Sequence, residues 1–318
     1  MTPGPVLLID SHSVLFRAHW ALPAMNTAAG EPTAALYGTC VLLLKLLREQ
    51  APADIAFAVD TPRPSFRRER YPAYKGTRGA VPSDLTGQLL RFGDIPAALG
   101  APVHAAPGYE ADDVLATLAA RAAAAGRRAR IVTGDRDLLQ LAAESDEAVS
   151  GRGPGQPAPG SIDILFIGRR GQDHVLYAAA DVEARFGVPP AMLPALIGLC
   201  GDSSDNLPGT PGVGTKTAAR WLREHGSAGG VVAAAAALEP ARLRRVVAER
   251  GEQIVANEAL ATLVRDLPIA DPAWSPLAAP GLVALRSVFE RFEFKSLLPR
   301  LDALISSRAG EAEPTRSS

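Results

Sequence analysis

The run VLLID at residues 6–10 is short and apolar, ends in a carboxylate, and is followed at once by a helical pattern. Three more β-rich runs recur in the first half of the chain, separated by helical stretches near residues 33–50, 82–99 and 111–125. They are IAFAVD (55–60), APVHAA (101–106) and RARIVT (128–133). Short strands that alternate with helices form a mainly parallel sheet covered by helices. The sequence therefore predicts an α/β domain.

Carboxylates follow the ends of these predicted strands. Ligands of α/β sheets bind beyond the carboxyl ends of the strands, so these acids are expected to converge at one sheet edge. Two more acid pairs occur in IVTGDRDLLQL (131–141) and LCGDSSDNLPG (199–209), and a helical turn would place the second pair on one face. The full set is Asp10, Asp60, Glu110, Asp112, Asp113, Asp135, Asp137, Asp202 and Asp205.

So many acids at one place indicate metal binding. Helix caps and Asx turns explain one acid or one pair, but a larger group repels itself unless cations offset the charge. The histidines and cysteines form no cluster with ligand spacing, so oxygen ligands remain, and these select Mg²⁺ or Mn²⁺. Two such ions are the usual device for in-line displacement at phosphorus. The acids of GYEADDVLATLA (108–119) are therefore interpreted as metal ligands rather than redundant caps.

Basic residues concentrate in RPSFRRERYPAYKGTR (63–78), although the formal net charge of the whole chain is only −1. Phe66, Tyr71 and Tyr74 are interleaved with them, a combination that suits phosphate neutralisation and base stacking. A solvated charged loop is the alternative interpretation. The basic residues are Arg63, Arg67, Arg68, Arg70, Lys75 and Arg78.

A second phosphate-binding pattern occurs in LPGTPGVGTKTAARWL (207–222). It misses the Walker pattern because Thr215 stands where lysine is required. What remains is a glycine turn at Gly212 and Gly214 that opens a helix, whose free N–H groups can hold a phosphate while Lys216 adds charge. This resembles the helix-hairpin-helix element that grips duplex DNA through its backbone. An ordinary glycine turn is the alternative.

The composition and the secondary-structure pattern of the chain change at two places. The Gly/Pro-rich stretch 144–160 is interpreted as a flexible loop, and strand-like runs follow at 161–168 and 173–178. From about residue 179 the pattern is almost wholly helical, and a disordered tail is expected from residue 307.

Hydrophobic residues make up 47% of the chain, enough for a sizeable core. No signal-peptide pattern and no membrane-spanning run are found, so a cytoplasmic protein without membrane binding is expected.

Together these motifs resemble the bacterial 5′–3′ exonuclease and flap endonuclease family, which includes the 5′-nuclease domain of DNA polymerase I. The resemblance extends from Val6 to about Leu304 and implies a PIN-like domain over 1–178, with a helical arch at about 63–95. A helical domain with a helix-hairpin-helix would follow over 179–306. Because no polymerase domain follows, a free-standing member is expected. The segments that carry the resemblance are LLIDSHSVLFRAHWAL, AFAVDTPRPSFRRERYPAYKGTR, GYEADDVLATLA, IVTGDRDLLQL, GDSSDNLPGTPGVGTKTA and FEFKSLLPRL.

Site roles follow from the resemblance, position by position. All nine acids would be ligands of two Mg²⁺ or Mn²⁺ ions. Lys75 and Arg78, in the arch, would contact the scissile phosphate, and Phe16 would stack on a base near the cleavage site. The basic run would form part of the gateway for a single-stranded 5′ end, and GVGTKT (212–217) would be a potassium-assisted hairpin that binds duplex DNA. The further DNA contacts would be Arg67, Arg68, Arg70, Gly212, Gly214, Lys216 and Thr217.

The implied activity is that of a monomeric, metal-dependent, structure-selective 5′ nuclease. It would cut flapped, nicked or gapped DNA in replication and repair and leave 5′-phosphate and 3′-hydroxyl ends. The main alternative is a paralogue that binds branched DNA without cutting it, which would lack second-site ligands that this sequence retains. A small PIN-fold ribonuclease would lack the C-terminal half. Two departures from the family pattern are Ser11, where glycine usually follows the first Asp, and the long 144–160 stretch.

Overall fold

A computed structural model describes residues 4–144, 160–168, 174–272, 274 and 279–312, and a six-stranded sheet forms the centre of this part of the chain. Its strands are β1 (Val6–Asp10), β2 (Asp54–Ala58), β3 (Val103–His104), β4 (Ala129–Thr133), β5 (Ile162–Ile167) and β6 (His174–Tyr177). They lie in the order β3-β2-β1-β4-β5-β6, and β6 pairs antiparallel while the other pairs are parallel. The predicted mainly parallel sheet is confirmed.

Helices cover both faces of the sheet. In the first half they are α1 (Ser11–Ala21), α2 (Ala34–Gln50), α3 (Phe66–Arg70), α4 (Ser83–Arg91), α5 (Asp94–Leu99) and α6 (Ala111–Ala124). In the second half they are α7 (Ala179–Phe186), α8 (Leu193–Cys200), α9 (Thr215–His225), α10 (Ala228–Ala233), α11 (Arg244–Glu249), α12 (Gly251–Ala261), α13 (Ala279–Arg291) and α14 (Leu298–Ala312). No helix among the described residues is long and apolar enough to cross a membrane.

The central strand β1 is buried on both faces, as its unbroken apolar sequence predicts. Val6 and Leu8 belong to a hydrophobic cluster with α6 and the helices from α7 to α12. Leu7 and Ile9 point to the other face, into a cluster with α1, α2 and α5. Alternate side chains of a strand point to opposite faces, so one short strand joins both halves of the core.

The last two helices return to the first half of the chain. α13 packs against α5, and α14 packs against α2, with Phe289, Phe292 and Leu301 buried in the same cluster as Leu7. The stretch 179–306, assigned from sequence to a single helical domain, therefore contributes to both faces of the sheet. α14 continues to Ala312, which corrects the predicted tail start at residue 307; residues 313–318 lie outside the described part.

The predicted arch at 63–95 is only partly helical. Between α3 and α4 the chain forms successive tight turns, in which Tyr74 N–H donates to the Tyr71 carbonyl and Gly76 N–H to the Ala73 carbonyl. Lys75 has φ of 53°, in the left-handed region that non-glycine residues rarely adopt. Its own N–H donates to the Asp205 carbonyl at 3.0 Å, a contact with the second half of the chain that holds this turn. Of the predicted 144–160 loop, residues 145–159 lie outside the described ranges.

Candidate metal and nucleic-acid site

An open cleft of about 930 Å³ lies at the carboxyl-terminal edge of the sheet. Four of the predicted acids line it: Asp10 at the end of β1, Asp60 after β2, Asp112 in the first turn of α6 and Asp135 after β4. The parallel register of β1 with β2 and β4 brings these strand ends together. Lys75, Arg78 and Phe16 line the same cleft.

Asp10 ends β1 and caps α1. Its Oδ1 accepts the Ser13 N–H at 3.0 Å, and its Oδ2 accepts the Thr133 hydroxyl at 2.6 Å. Burial raises the pKa of Asp10 to about 7, with the charges of Asp135 and Asp60 acting in the same direction, although both hydrogen bonds oppose the shift. The side chain is fixed in position and destabilised when ionised, as expected of a carboxylate that needs a nearby cation.

Asp112 is in the same electrostatic situation. Burial raises its pKa well above the usual value, and the neighbouring charges of Asp135, Asp10 and Glu110 raise it further, while Lys75 opposes the shift. Asp60 is held differently, because its Oδ1 accepts the Ala111 N–H at 2.8 Å and so joins the end of β2 to the start of α6. These contacts fix the carboxylates of Asp10 and Asp60, and Asp112 lines the same cleft from the first turn of α6.

Asp202 and Asp205 extend the acidic group into the second half of the chain, close to Asp137, which follows β4. Asp137 opens a short 3₁₀ helix, Asp137–Leu141. Its pKa is raised well above the usual value by burial and by the charges of Asp135, Asp205 and Asp202. The second half of the chain therefore places two carboxylates within electrostatic reach of the acids that follow β4.

The helical turn predicted for Asp202 and Asp205 is wrong. Residues 202–207 form a closed turn in which the Asp202 N–H donates to the Leu207 carbonyl at 2.9 Å and the Leu207 N–H donates back at 2.7 Å. Gly201, which ends α8, has φ of 73°, and a Cβ there would lie 2.3 Å from the backbone nitrogen of Gly209. This crowding requires glycine and ends the helix before the acids. Asp202 Oδ1 accepts the Ser204 N–H at 2.6 Å, which is an Asx turn.

Three side chains from the turns after α3 bind the acids. Lys75 Nζ lies 3.1 Å from Glu110 Oε2 and 4.0 Å from Asp205 Oδ2, and Arg78 Nη2 donates to Asp205 Oδ1 at 3.0 Å. The Tyr74 hydroxyl donates to Asp205 Oδ2 at 2.6 Å and lies 3.2 Å from Glu110 Oε2. Burial would lower the pKa of Lys75, but the charges of Asp112, Glu110 and Asp205 raise it overall. Both cations are thus held at the cleft by carboxylates from both halves of the chain.

Asp113 and Arg67 form a buried ion pair, which corrects both of their predicted roles. Their side chains are 0% and 1% exposed, and Arg67 Nη1 and Nη2 donate to Asp113 Oδ2 and Oδ1 at 2.6 and 2.8 Å. Arg67 Nε also donates to the Leu260 carbonyl at 2.7 Å, and Asp113 Oδ1 accepts the Val264 N–H at 2.9 Å. Arg67 is out of reach of DNA, and Asp113 is turned away from the cleft and has its oxygens occupied.

The remaining predicted DNA contacts separate into exposed and buried groups. Arg68 and Arg70 are exposed on α3, but Tyr74 is buried and unavailable for base stacking. At the glycine turn before α9, Gly212 has φ of 81° and Thr217 N–H donates to the Gly214 carbonyl at 3.0 Å. Gly212, Gly214 and Lys216 are exposed and Thr217 is half-buried, so this turn offers a surface to a ligand.

Two contacts of the candidate site were not predicted from the sequence. Thr133 orients Asp10, and Tyr74 bridges Glu110 and Asp205. The hydroxyl residue that ends a strand beside the acidic edge was an available signal for Thr133. Nothing local distinguishes Tyr74 from Tyr71, since the hydroxyl partners of Tyr74 come from distant segments.

The donor chemistry fits divalent cations, although the acids do not form a complete coordination site. In the described ranges no three His, Cys, Asp or Glu side chains are grouped closely enough to hold a metal ion as they stand. The pKa values nevertheless show that Asp10, Asp112 and Asp137 are each destabilised by burial and by neighbouring acids. Small movements of side chains around a cation would relieve this repulsion, and the ligands on offer are all oxygens.

The class of protein defined by this fold and cleft is a PIN-like nuclease with a helical extension. Residues 5–163 match the family model described as 5′-3′ exonuclease, N-terminal resolvase-like domain, and residues 188–278 match 5′-3′ exonuclease, C-terminal SAM fold. These matches cover more than half of the chain, which therefore belongs to the 5′-3′ exonuclease family.

Individual relatives agree with this assignment. The chain is 36% identical over 308 residues to DNA polymerase I of Mycobacterium bovis, covering 96% of this chain and 32% of that protein. It thus spans about a third of the length of the curated relatives it matches.

Among solved structures, the bacteriophage T5 D15 flap endonuclease, in a pseudo-enzyme-product complex with DNA and metal ions, superposes with a TM-score of 0.62 at 17% identity. That match covers 95% of this chain and 97% of the phage protein. Human GEN1 in complex with Holliday junction DNA gives a TM-score of 0.61 at 17% identity and covers 98% of this chain and 76% of that one. At this identity the two likenesses show the fold.

Proposed function

We propose that this chain is a metal-dependent, structure-selective 5′ nuclease that hydrolyses DNA phosphodiester bonds at flaps, nicks or gaps during replication and repair. The observation that carries the proposal is the cleft in which Asp10, Asp60, Asp112 and Asp135 share one sheet edge with Lys75 and Arg78. Family membership supports the reaction class, and the DNA in the T5 and GEN1 complexes supports the substrate.

Two divalent cations, Mg²⁺ or Mn²⁺, would be held by the four carboxylates that line the cleft and by the acids next to them from both halves of the chain. When bound, such ions activate the attacking water and stabilise charge on the leaving oxygen. The acids that would hold them are Asp10, Asp60, Glu110, Asp112, Asp135, Asp137, Asp202 and Asp205.

The chain's own cations would position the phosphate. Lys75 lies beside Glu110, and Arg78 is half-exposed beside Asp205, so both can donate to phosphate oxygens while remaining at the cleft wall. Donors fixed in place before the reaction stabilise charge that develops in the transition state. Phe16 would hold a base beside the same phosphate, and the exposed Arg68 and Arg70 would attract the incoming strand.

The turn at Gly212–Thr217 would bind the duplex through its backbone, with K⁺ as the bridging ion. Lys216→Ala should weaken binding to duplexes of different sequence by a similar factor and reduce the salt dependence of log Kd by about one unit. Affinity that falls when K⁺ is replaced by Li⁺ at equal ionic strength would support a role for K⁺. Equal affinity in both salts would remove that part of the proposal.

The nuclease proposal is tested with a 5′-labelled flap duplex, incubated with Mg²⁺, with Mn²⁺ and with EDTA. The wild type should cut at the junction only with metal, and Asp135→Ala should lose this cutting. Glu252→Gln, an exposed acid on α12, is the matched control and should cut normally. Tight flap binding without cutting in either metal would favour the non-cleaving paralogue instead.

A further inference from the structure

Trp20 is a large apolar side chain that the fold leaves 70% exposed. Of the other two tryptophans, Trp221 is 1% exposed and Trp274 is half-buried. A single exposed apolar residue is unremarkable on an open surface. Trp20, however, lies in the wall of the cleft that holds the acids, Lys75 and Arg78.

The geometry of α1 relates Trp20 to the acids. Asp10 caps the start of α1, Phe16 lies about 9 Å farther along its axis, and Trp20 lies about one more turn away. Residues four apart share a helix face, so Phe16 and Trp20 both point into the cleft, which they line together. The ring of His19 packs edge-on against that of Trp20, with centroids 4.8 Å apart, and limits the orientations of the indole.

Apolar residues also line this cleft. Val81, Pro82 and Leu89, from the segment before α4 and from α4 itself, line it together with Trp20, and α4 packs against α1. A flat aromatic ring beside apolar side chains suits the face of a base, and base stacking on aromatic residues tolerates any sequence. The basic groups of Lys75 and Arg78, in the same cleft, complement the phosphates of the same strand.

We propose that Trp20 is a second base-stacking residue, which binds a base of the unpaired 5′ strand one helical turn beyond the base held by Phe16. This inference rests on the proposed function and adds a contact on the single-stranded side of the cleavage site. The rise of one turn, about 5.4 Å, exceeds the 3.4 Å between stacked bases, so the strand must be partly unstacked to contact both rings.

The test compares Trp20→Ala and Trp20→Phe with the wild type in binding to two DNA duplexes. Both duplexes carry a 5′ flap of about eight nucleotides, and in one the flap consists of abasic residues. Leu90→Ala is the matched control, because Leu90 is 84% exposed on α4 but does not line the cleft. Affinity is measured in EDTA, and quenching of tryptophan emission provides a second signal.

On the intact flap, Trp20→Ala should bind about tenfold more weakly than the wild type, Trp20→Phe within about threefold, and Leu90→Ala unchanged. On the abasic flap, the wild type should bind no better than Trp20→Ala. Wild-type affinity in Trp20→Ala, or the same loss on both flaps, would overturn the proposal.

Cleavage of the intact flap by the wild type in Mg²⁺ separates this inference from the proposed function. Binding that depends on Trp20 and on the bases, without any cleavage, would retain the stacking site and reject the nuclease. Cleavage of the flap, together with flap binding that does not depend on Trp20, would retain the nuclease and reject the stacking site. Absence of flap binding by the wild type would overturn both.

Discussion

Asp112 and Asp113 are neighbours in the first turn of α6, yet their side chains lie in opposite electrostatic environments. Asp112 faces the cleft among other acids, and its pKa is raised well above the usual value by burial and by repulsion from Asp135 and Asp10. Asp113 faces the interior and is neutralised by both terminal nitrogens of Arg67. Successive helix residues are about 100° apart, so one step changes the environment completely.

The comparison separates two uses of a buried acid. An acid paired with a fixed cation of the chain ties elements together, as Arg67 ties α3 to α6 and to the carbonyls of Leu260 and Thr262. An acid left among other acids is unstable when charged and is thereby prepared for an exchangeable cation. The first arrangement contributes to folding, and the second lowers stability and would serve the proposed metal binding.

The largest expected effect concerns the paired acid. Arg67→Ala leaves Asp113 buried without its partner and should lower the free energy of unfolding by about 3–5 kcal/mol, measured by urea denaturation. Arg68→Ala, at the exposed neighbouring position, is the control and should change it by less than about 0.5 kcal/mol. Equal urea midpoints for Arg67→Ala and the wild type would remove the distinction between the two acids.

The unpaired acid should behave in the opposite way. Asp112→Asn removes a repelled charge, so in EDTA the variant should unfold at the same or a higher urea concentration than the wild type. Flap cleavage in Mg²⁺ should fall at least about 100-fold if Asp112 is the metal ligand proposed above, because bound metal stabilises the transition state by several kcal/mol. A variant that is clearly destabilised in EDTA and retains cleavage would show that Asp112 is a structural acid like Asp113.

The pH dependence of stability without metal provides a third test. The pKa of Asp10 is about 7 in the folded chain, above its ordinary value of 3.8, so the folded chain binds more protons between these limits. The free energy of unfolding in EDTA should therefore fall as pH rises from about 4 to 7, with Asp10 contributing up to about 1.4 kcal/mol per pH unit. Asp10→Asn should flatten this slope. An unchanged slope in this variant would contradict the raised pKa of Asp10.

The smallest effect is expected at Tyr74, which contacts one acid from each half of the chain. Tyr74→Phe removes the hydroxyl that bridges Glu110 and Asp205, while the cations Lys75 and Arg78 remain. The free energy of unfolding should fall by about 1 kcal/mol, the usual contribution of one such hydrogen bond. Tyr71→Phe is the matched control. An equal loss in both variants would indicate that ring packing, not the bridge, stabilises this region.

The α/β class and the edge of the sheet where the acids collect both follow from the sequence alone. Strand and helix patterns are local, and each strand that ends near an acid carries that acid to the same edge. For that reason Asp10, Asp60, Asp112 and Asp135 were placed together from sequence, and the structure brings them into one cleft.

Contacts between distant segments decide which acids face the cleft and which basic residues remain exposed. Arg67 and Arg68 are equivalent in the local sequence, and so are Asp112 and Asp113. Their environments differ because α12 and the residues after it supply the Leu260 carbonyl to Arg67 and the Val264 N–H to Asp113. These partners lie 193 and 151 residues away along the chain. Local sequence patterns do not indicate contacts between residues so far apart in the chain.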